Sequence, residues 1–348
     1  MNWALLSVRR LILAALISCF SFHAVAEEPT SHQPEKAFEA FWSLYDTQYA
    51  LFEVKRVDWD ALYRAYRPRV TERTSRAELF DIFVEMTALL NDVHVTVEDL
   101  QRDRLERSGA RSIGRGPFDA GEFSLDLIAR DYLTKPLETR AGGVIKFGEL
   151  PGGAGYLRIE AFKYATSTEQ AINEFVENFK AAPAVIIDVR QNGGGADRIG
   201  QLIAERFATE RVKYMSSQGR IPGKDRTQFR DPIEWVLNPS ADHQYDGPVY
   251  VLANSRTISA AENFILAMRA ISRSVIIGDV TAGAMADTIP ITLDDGWRFS
   301  VPVNIFRDAD GVCWEGVGLA PDLWVRNTPE DIAGGQDKVL ALALALIE

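Results

Sequence analysis

The hydrophobic period of this chain changes partway along. From Ala37 to about Leu90, aromatic and apolar residues return every three or four positions: Phe38, Phe41, Trp42, Tyr45 and Tyr49. The pattern continues through Asp58-Trp-Asp-Ala-Leu-Tyr-Arg-Ala-Tyr66 and stops at Arg67-Pro68. That is the spacing of helices that bury one face against a core. A further helix opens on a capping box, Ser75-Arg-Ala-Glu78, and carries Leu79, Ile82, Phe83, Met86, Leu89 and Leu90. The pattern predicts a helical domain at 37–98, preceded by a flexible lead-in at 27–36. It closes in Asn91-Asp92-Val93-His94-Val95-Thr96-Val97, a turn into extended chain.

Residues 99–141 are charged, lack a clear period and read as a connecting segment. Over 142–348 the pattern alternates between strands and helices. It predicts strands at 155–159, 184–190, 248–253, 275–278, 288–293 and 297–304. Helices are expected at 167–180, 196–207, 259–271 and 329–347, with a turn at Asp308-Ala-Asp-Gly311. The strands near Val185 and Val249 are unbroken apolar runs, as expected where helices cover both faces. The body is therefore α/β.

Composition adds compartment and excludes some partners. With 348 residues, 47% of them apolar, the chain has ample core for one large domain and a small one. The first 26 residues read as a secretory signal. Arg9 and Arg10 precede an apolar run, and Ala24-Val25-Ala26 offers a small-x-small cleavage site. Leu16-Ile17-Ser18-Cys19 also resembles a lipobox, so a membrane-anchored lipoprotein acylated at Cys19 is the alternative to release into the periplasm or medium. The apolar stretch is too short for a transmembrane span. Loss of the leader removes two of the 38 basic residues and none of the 49 acidic ones, taking the net charge from −11 to −13. Such a chain repels phosphate, so no nucleic-acid partner is expected. No paired-cysteine or His-x-x-x-His spacing supports a metal site. Cys313, in Asp-Gly-Val-Cys-Trp-Glu, reads as a small buried hydrophobe on a hairpin strand.

The candidate chemistry begins at Ser259. Val249-Tyr-Val-Leu-Ala-Asn-Ser-Arg-Thr-Ile-Ser259 reads as strand, polar turn and helix start, where free N–H groups and the helix dipole favour a developing negative charge. Upstream, Asp188-Val-Arg-Gln-Asn-Gly193-Gly194-Gly195 repeats the arrangement as strand, glycine loop and helix. A nucleophile on one such turn and a donor loop on another are two parts of an acyl-transfer site. Taken singly, they are the ordinary signatures of an N-cap and a tight turn. A serine nucleophile also needs a base. Of four histidines, His23 is in the leader, His32 in the lead-in and His243 in a turn-rich loop. His94 remains, beside Asp92. No lysine lies between Lys224 and Lys338, and no Ser-x-x-Lys or Gly-x-Ser-x-Gly motif occurs.

Six elements in this order resemble the C-terminal processing, or tail-specific, serine peptidases, nearest to their tricorn-like branch. They are Leu-Leu-Asn-Asp-Val-His94, Gly155-Tyr-Leu-Arg-Ile-Glu-Ala-Phe162, Asp188 to Gly195, Ser259-Ala-Ala-Glu262, Gly278-Asp-Val-Thr281-Ala-Gly283 and Glu315-Gly-Val-Gly-Leu-Ala-Pro321-Asp322. The resemblance covers almost all of the chain after the leader. It implies a crotonase-like (ClpP/crotonase) α/β core behind a helical cap, a peptide or protein substrate, and no cofactor. It implies Ser259 as nucleophile, His94 as base and Glu315 as the acid completing the charge network. Ala260 and Gly193 or Gly194 would form the oxyanion hole, and Glu262, Thr281 and Asp92 would support the site. Two positions depart from the family pattern. Ala284 stands where the lysine-dependent branch has its lysine, and Val93 where the tricorn-like branch has a serine. No peptide-docking PDZ domain is expected either, because residues 100–150 are too short for one. The rival readings are a hydrophobic-ligand or peptide binder on the same fold and a serine hydrolase of small esters or amides.

Overall fold

The computed structural model describes residues 33–109, 120–240 and 242–347. The predicted leader and residues 27–32 lie outside them. The first helix, Pro34–Gln48, starts inside the stretch expected to be a flexible lead-in, with proline in its first turn. There proline's fixed φ suits the helix and its missing N–H costs nothing.

The α/β body is built on a seven-stranded sheet. Along it lie Leu323–Trp324, Ser274–Gly278, Val249–Ala253, Val185–Asp188, Gly155–Ile159, Ile145–Glu149 and Glu138–Arg140. The first five are mutually parallel, and the last two join antiparallel. Strand side chains alternate in direction, so the apolar runs serve two cores at once. Leu157, Val185, Ile187, Val249, Val251 and Ile276 pack with Phe175, Ile203, Phe264 and Ile265 from the helices Ala165–Asn178, Asp197–Glu205 and Ala260–Arg269. Tyr156, Ile186, Leu252 and Ile277 face the other way, onto Ile128 and onto Val339, Leu340 and Ala343 of the helix Lys338–Ala345.

The helices Pro34–Gln48, Trp59–Tyr66 and Arg76–Ala88 bury Phe38, Phe41, Tyr45, Trp59 and Phe83 in an aromatic cluster. The cluster is completed from far along the chain by Trp297, Phe299, Val301 and Ile305. Phe41 stands 4.3 Å from Phe83 and 5.2 Å from Phe299, centroid to centroid. Asp92 to Val97 lies between these helices and the four-stranded sheet whose order is Thr288–Thr292, Trp297–Pro302, Thr96–Asp99, Arg104–Arg107. The capping box at Ser75 forms: Glu78 accepts the Ser75 N–H at 2.8 Å.

Several elements differ from expectation. The strand expected at 297–304 breaks after Pro302, and Asn304–Asp308 joins Val212–Gly219 and Ile233–Leu237 in a separate three-stranded sheet. The helix expected at 329–347 is two, Pro329–Ala333 and Lys338–Ala345. The chain leaves the first through Gly335 at φ +80° and restarts on Asp337, whose carboxylate accepts the Leu340 N–H. Cys313 is not on a strand, and it packs partly buried against the aromatic cluster. Among the described residues, no helix is long and apolar enough to cross a membrane.

Candidate active site

Ser259 sits where Val249–Ala253 has left the sheet and the helix Ala260–Arg269 begins. Its backbone has φ +62° and ψ −129°, a region costing a non-glycine residue about 1–3 kcal/mol. The surroundings hold it there. Its N–H donates to the Ala284 carbonyl at 2.8 Å and approaches the Glu262 carboxylate at 3.2 Å. The preceding turn is tied to the glycine loop: Thr257 Oγ1 donates to Val189 O at 3.0 Å, and Ile258 N–H to Asn192 O at 3.0 Å.

The glycine loop lies directly against the serine. A Cβ on Gly194 (φ +91°) would stand 2.8 Å from Ser259 Cβ, and one on Gly195 would stand 2.3 Å from Phe162 O. Only glycine permits both approaches. Asn192 shapes the loop: its amide donates to Ile159 O at 3.0 Å and its side-chain oxygen accepts the Gly194 N–H at 2.8 Å. That bond separates the two glycines between which the sequence left the choice open. Gly194 spends its donor inside the loop. The N–H groups of Gly193, exposed, and of Ala260, at the helix start, find no acceptor among the described residues. Glu262 is wholly buried and gathers the Thr281 hydroxyl at 2.6 Å, Gly283 N–H at 2.7 Å and Ala284 N–H at 2.8 Å. Burial raises its pKa and these donors oppose the rise. Its role is to fix the segment that carries the Ser259 acceptor.

The side that carries His94 is assembled from distant parts of the chain. The acceptor groups of Asp92, His94 and Glu315 lie within 4.8 Å of one another. Asp92 is 1% exposed, accepting the His94 backbone N–H at 3.0 Å on one oxygen and the Tyr49 hydroxyl at 2.9 Å on the other. Burial and then the Asp92 charge push the Tyr49 phenol up. His94 is partly exposed, but its Nδ1 is buried without a hydrogen-bond partner. Burial holds the imidazole below its ordinary pKa, against the pull of Asp92, and so favours the neutral form.

Glu315, which on sequence could have been a solvated hairpin residue, is 6% exposed. One oxygen accepts Met285 N–H at 2.8 Å and Ala286 N–H at 3.3 Å, while the other stands 3.7 Å from Lys55 Nζ. Burial, then the Asp92 charge, pushes its carboxyl up to about 8, with Lys55 opposing. Lys55 is itself nearly buried and also donates to Asn91 O at 3.1 Å. Asp92, His94 and Glu315 have the donor chemistry of a cation site. Both Asp92 oxygens already accept hydrogen bonds, however, and the Lys55 ammonium supplies the positive charge beside Glu315, so the group fits a charge network better than a metal cradle.

The two halves meet on one buried segment. Ala284 holds Ser259, and the next two residues, Met285 and Ala286, hold Glu315. His243 pairs instead with Glu177, on the helix Ala165–Asn178, at 3.0 Å. Sequence reasoning missed Tyr49, Lys55 and Asn192. Lys55 falls in a four-residue helix beside Arg56, with no motif around it to mark it.

Residues 153–325 match the model of peptidase family S41, and residues 31–88 match the tricorn protease C1 domain. The chain is 31% identical over 207 residues to the candidate tricorn protease homolog 2 of Streptomyces coelicolor, covering 58% of this chain and 16% of that protein. It is 33% identical over 173 residues to the tail-specific protease of Haemophilus influenzae, covering 48% of this chain and 22% of that one. The chain thus spans less than a quarter of the length of either relative. The crystal structure of a candidate peptidase from Parabacteroides merdae superposes with a TM-score of 0.79 at 28% identity, over 91% of this chain and 97% of that one.

Proposed function

The chain belongs to peptidase family S41, and from that premise we propose that it is an exported serine peptidase working through a Ser259 acyl-enzyme. Ser259 Oγ attacks the scissile carbonyl while His94 takes its proton. The tetrahedral oxyanion sits between Gly193 N–H and Ala260 N–H, where each donor contributes on the order of 3 kcal/mol to lowering the barrier. His94 then passes the proton to the departing amine. Water, deprotonated by the same imidazole, attacks the ester carbonyl, and the imidazolium returns that proton to Ser259 Oγ as the acyl–oxygen bond breaks, releasing the second product and the free serine. Glu315, with Asp92 behind it, stabilises the imidazolium that forms in both steps.

Charge balance supports that order of events. Once Glu315 loses its proton, near pH 8, two buried carboxylates, Asp92 and Glu315, face one close ammonium, Lys55, and an imidazole held neutral by burial. Proton transfer to His94 supplies the cation this pocket lacks, so the transition state is better compensated than the ground state. The observation that carries the reading is the strained Ser259 held by Ala284, next to the residues that hold Glu315.

We read the parallel sheet with its strand-to-helix turns as the crotonase-like core, and the segments 37–98 and 142–348 as cap and catalytic body. Ala284 leaves no lysine for a Ser–Lys dyad, and the Lys55 ammonium lies beside the carboxylate cluster. The charged-then-apolar leader ending at Ala26 supports export by signal cleavage, with acylation at Cys19 as the anchored alternative. Incubation of the mature chain with a quenched-fluorescent peptide library tests the activity. The expected result is turnover together with a Ser259-linked acyl adduct by mass spectrometry. Turnover of small esters but of no peptide would leave the mechanism standing and replace the substrate class. Neither turnover nor adduct would favour the ligand-binder reading.

A further inference from the structure

Two aspartates each lie three residues beyond a point that touches Ser259. Gly194 packs on Ser259 Cβ, and Asp197 follows at the start of the helix Asp197–Glu205. Ala284 O accepts the Ser259 N–H, and Asp287 follows at the start of the exposed strand Thr288–Thr292. Each carboxylate is gripped by an asparagine on a different element. Asp197 Oδ1 accepts Asn263 Nδ2 at 2.9 Å, from the nucleophile's own helix one turn past Ser259. Asp287 Oδ2 accepts Asn304 Nδ2 at 2.6 Å, while Asn304 Oδ1 takes the Asp287 N–H at 2.8 Å. Both asparagines are buried, at 2% and 8% exposure.

On the carboxylates, the grips leave acceptors over. Asp197 Oδ2 and Asp287 Oδ1 accept no hydrogen bond among the described residues. Asn263 Oδ1, on the carboxamide aimed at Asp197, is buried without a donor. Two carboxylate oxygens and a buried carboxamide oxygen, all without donors, are the complement of a cationic nitrogen. Other charges do not fill the need. Arg198 lies over the Trp235 ring at 4.2 Å and donates to Gln201 at 2.7 Å. Lys55 is engaged by Glu315 and Asn91, and His94, which faces Asp287, is held neutral by burial. Burial pushes the Asp197 carboxyl up to about 6, with Asp287 adding to the rise and Asn263 and Arg198 opposing it, so a cation there would offset part of the cost of its charge. The acidic surface of the chain would draw the same kind of ligand in.

We infer that Asp197, Asp287 and Asn263 form a subsite beside Ser259 that takes a cationic nitrogen of the peptide substrate, from a lysine or arginine side chain or from a free amino terminus. The inference rests on the peptidase reading above, and its test separates the two. Four C-terminally fluorescent peptides of equal length would be titrated into the full mature chain carrying Ser259→Ala. One bears an arginine and an acetylated amino terminus, the second a glutamine in place of arginine and a free amino terminus, the third both cations and the fourth neither. At least one cationic peptide should bind about tenfold or more tighter than the neutral one at low salt. The gap should shrink as salt is added and vanish with Asp197→Asn and Asp287→Asn, which keep size and hydrogen bonds to the asparagines. Which single-cation peptide binds tighter names the source of the nitrogen. Equal binding by all four, or a preference that survives both substitutions or ignores salt, overturns the subsite. Labelling of the Ser259 chain by an uncharged fluorophosphonate reports the chemistry separately. Labelling without cation preference sinks only the subsite, and cation preference without labelling sinks only the peptidase reading.

Discussion

The two sides of the proposed site, nucleophile and base, are built in opposite ways. The nucleophile side is local: Ser259, Ala260, Glu262 and the glycine loop sit at the ends of adjacent parallel strands, so the sheet register alone brings them together. The base side is assembled from Tyr49, Lys55, Asp92, His94 and Glu315, whose chain positions span more than two hundred residues and which touch only through buried polar contacts. The first side is fixed by backbone geometry, the second by charge compensation. Substitutions on the first should therefore act through shape, and those on the second through pH.

Ser259→Ala should have the largest effect, removing turnover by at least about 10⁴-fold in a peptide assay while leaving the folded chain intact. Gly194→Ala comes next. Its new methyl would meet Ser259 Cβ at 2.8 Å on a φ of +91°, displacing nucleophile and oxyanion loop together. A loss on the order of 100-fold in kcat with little change in its pH dependence is expected. An unaltered kcat would mean that the loop does not form part of the site.

Lys55→Met examines the other side. Without the ammonium, Glu315 holds its proton to higher pH, and the imidazole, which Lys55 helps to hold down, keeps its own proton to higher pH as well. Activity at neutral pH should fall about tenfold, equivalent to one pKa unit. Its rise with pH should move to more alkaline values, and Lys55→Arg should restore part of both. A uniform loss at every pH would make Lys55 a packing residue only. Smallest is the effect of Glu315→Gln on stability. Burial holds the Glu315 carboxyl at about 8 in the folded chain, against an ordinary 4.5. The folded state keeps a proton there that the unfolded state has lost, so stability falls as pH rises from 4.5 towards 8. Glu315→Gln abolishes that dependence, so its melting temperature should exceed that of the unmodified chain by about a few degrees at pH 8 and by less near pH 5. Equal offsets at both pH values would show that Glu315 does not titrate in this window.

The same contrast explains what could be read from the chain itself. The continuous apolar strands, the capping box at Ser75 and the two strand-to-helix turns carry their signals within a dozen residues, and Gly155–Ile159 forms with its expected bounds. His94 was reached through resemblance and by elimination among four histidines. Lys55 and Tyr49 were not reached, because a buried polar residue in a helix looks like its solvated neighbours until its partner is known. The break after Pro302 was missed for a related reason: both halves are good strands, and only tertiary pairing sends them to different sheets. Asn192, which the sequence showed only as part of the glycine loop, occupies Gly194 N–H and so narrows the candidate oxyanion donors to Gly193 and Ala260.

The central claim is that a locally built nucleophile is activated by a remotely assembled base. The most direct measurement is the rate at which an uncharged fluorophosphonate labels the mature chain, compared with its Ser259→Ala and His94→Ala variants, with the adduct mapped by mass spectrometry. The account predicts labelling at Ser259, none in Ser259→Ala, and a rate at least about 100-fold lower in His94→Ala. Labelling of a folded His94→Ala chain at the unmodified rate would contradict it.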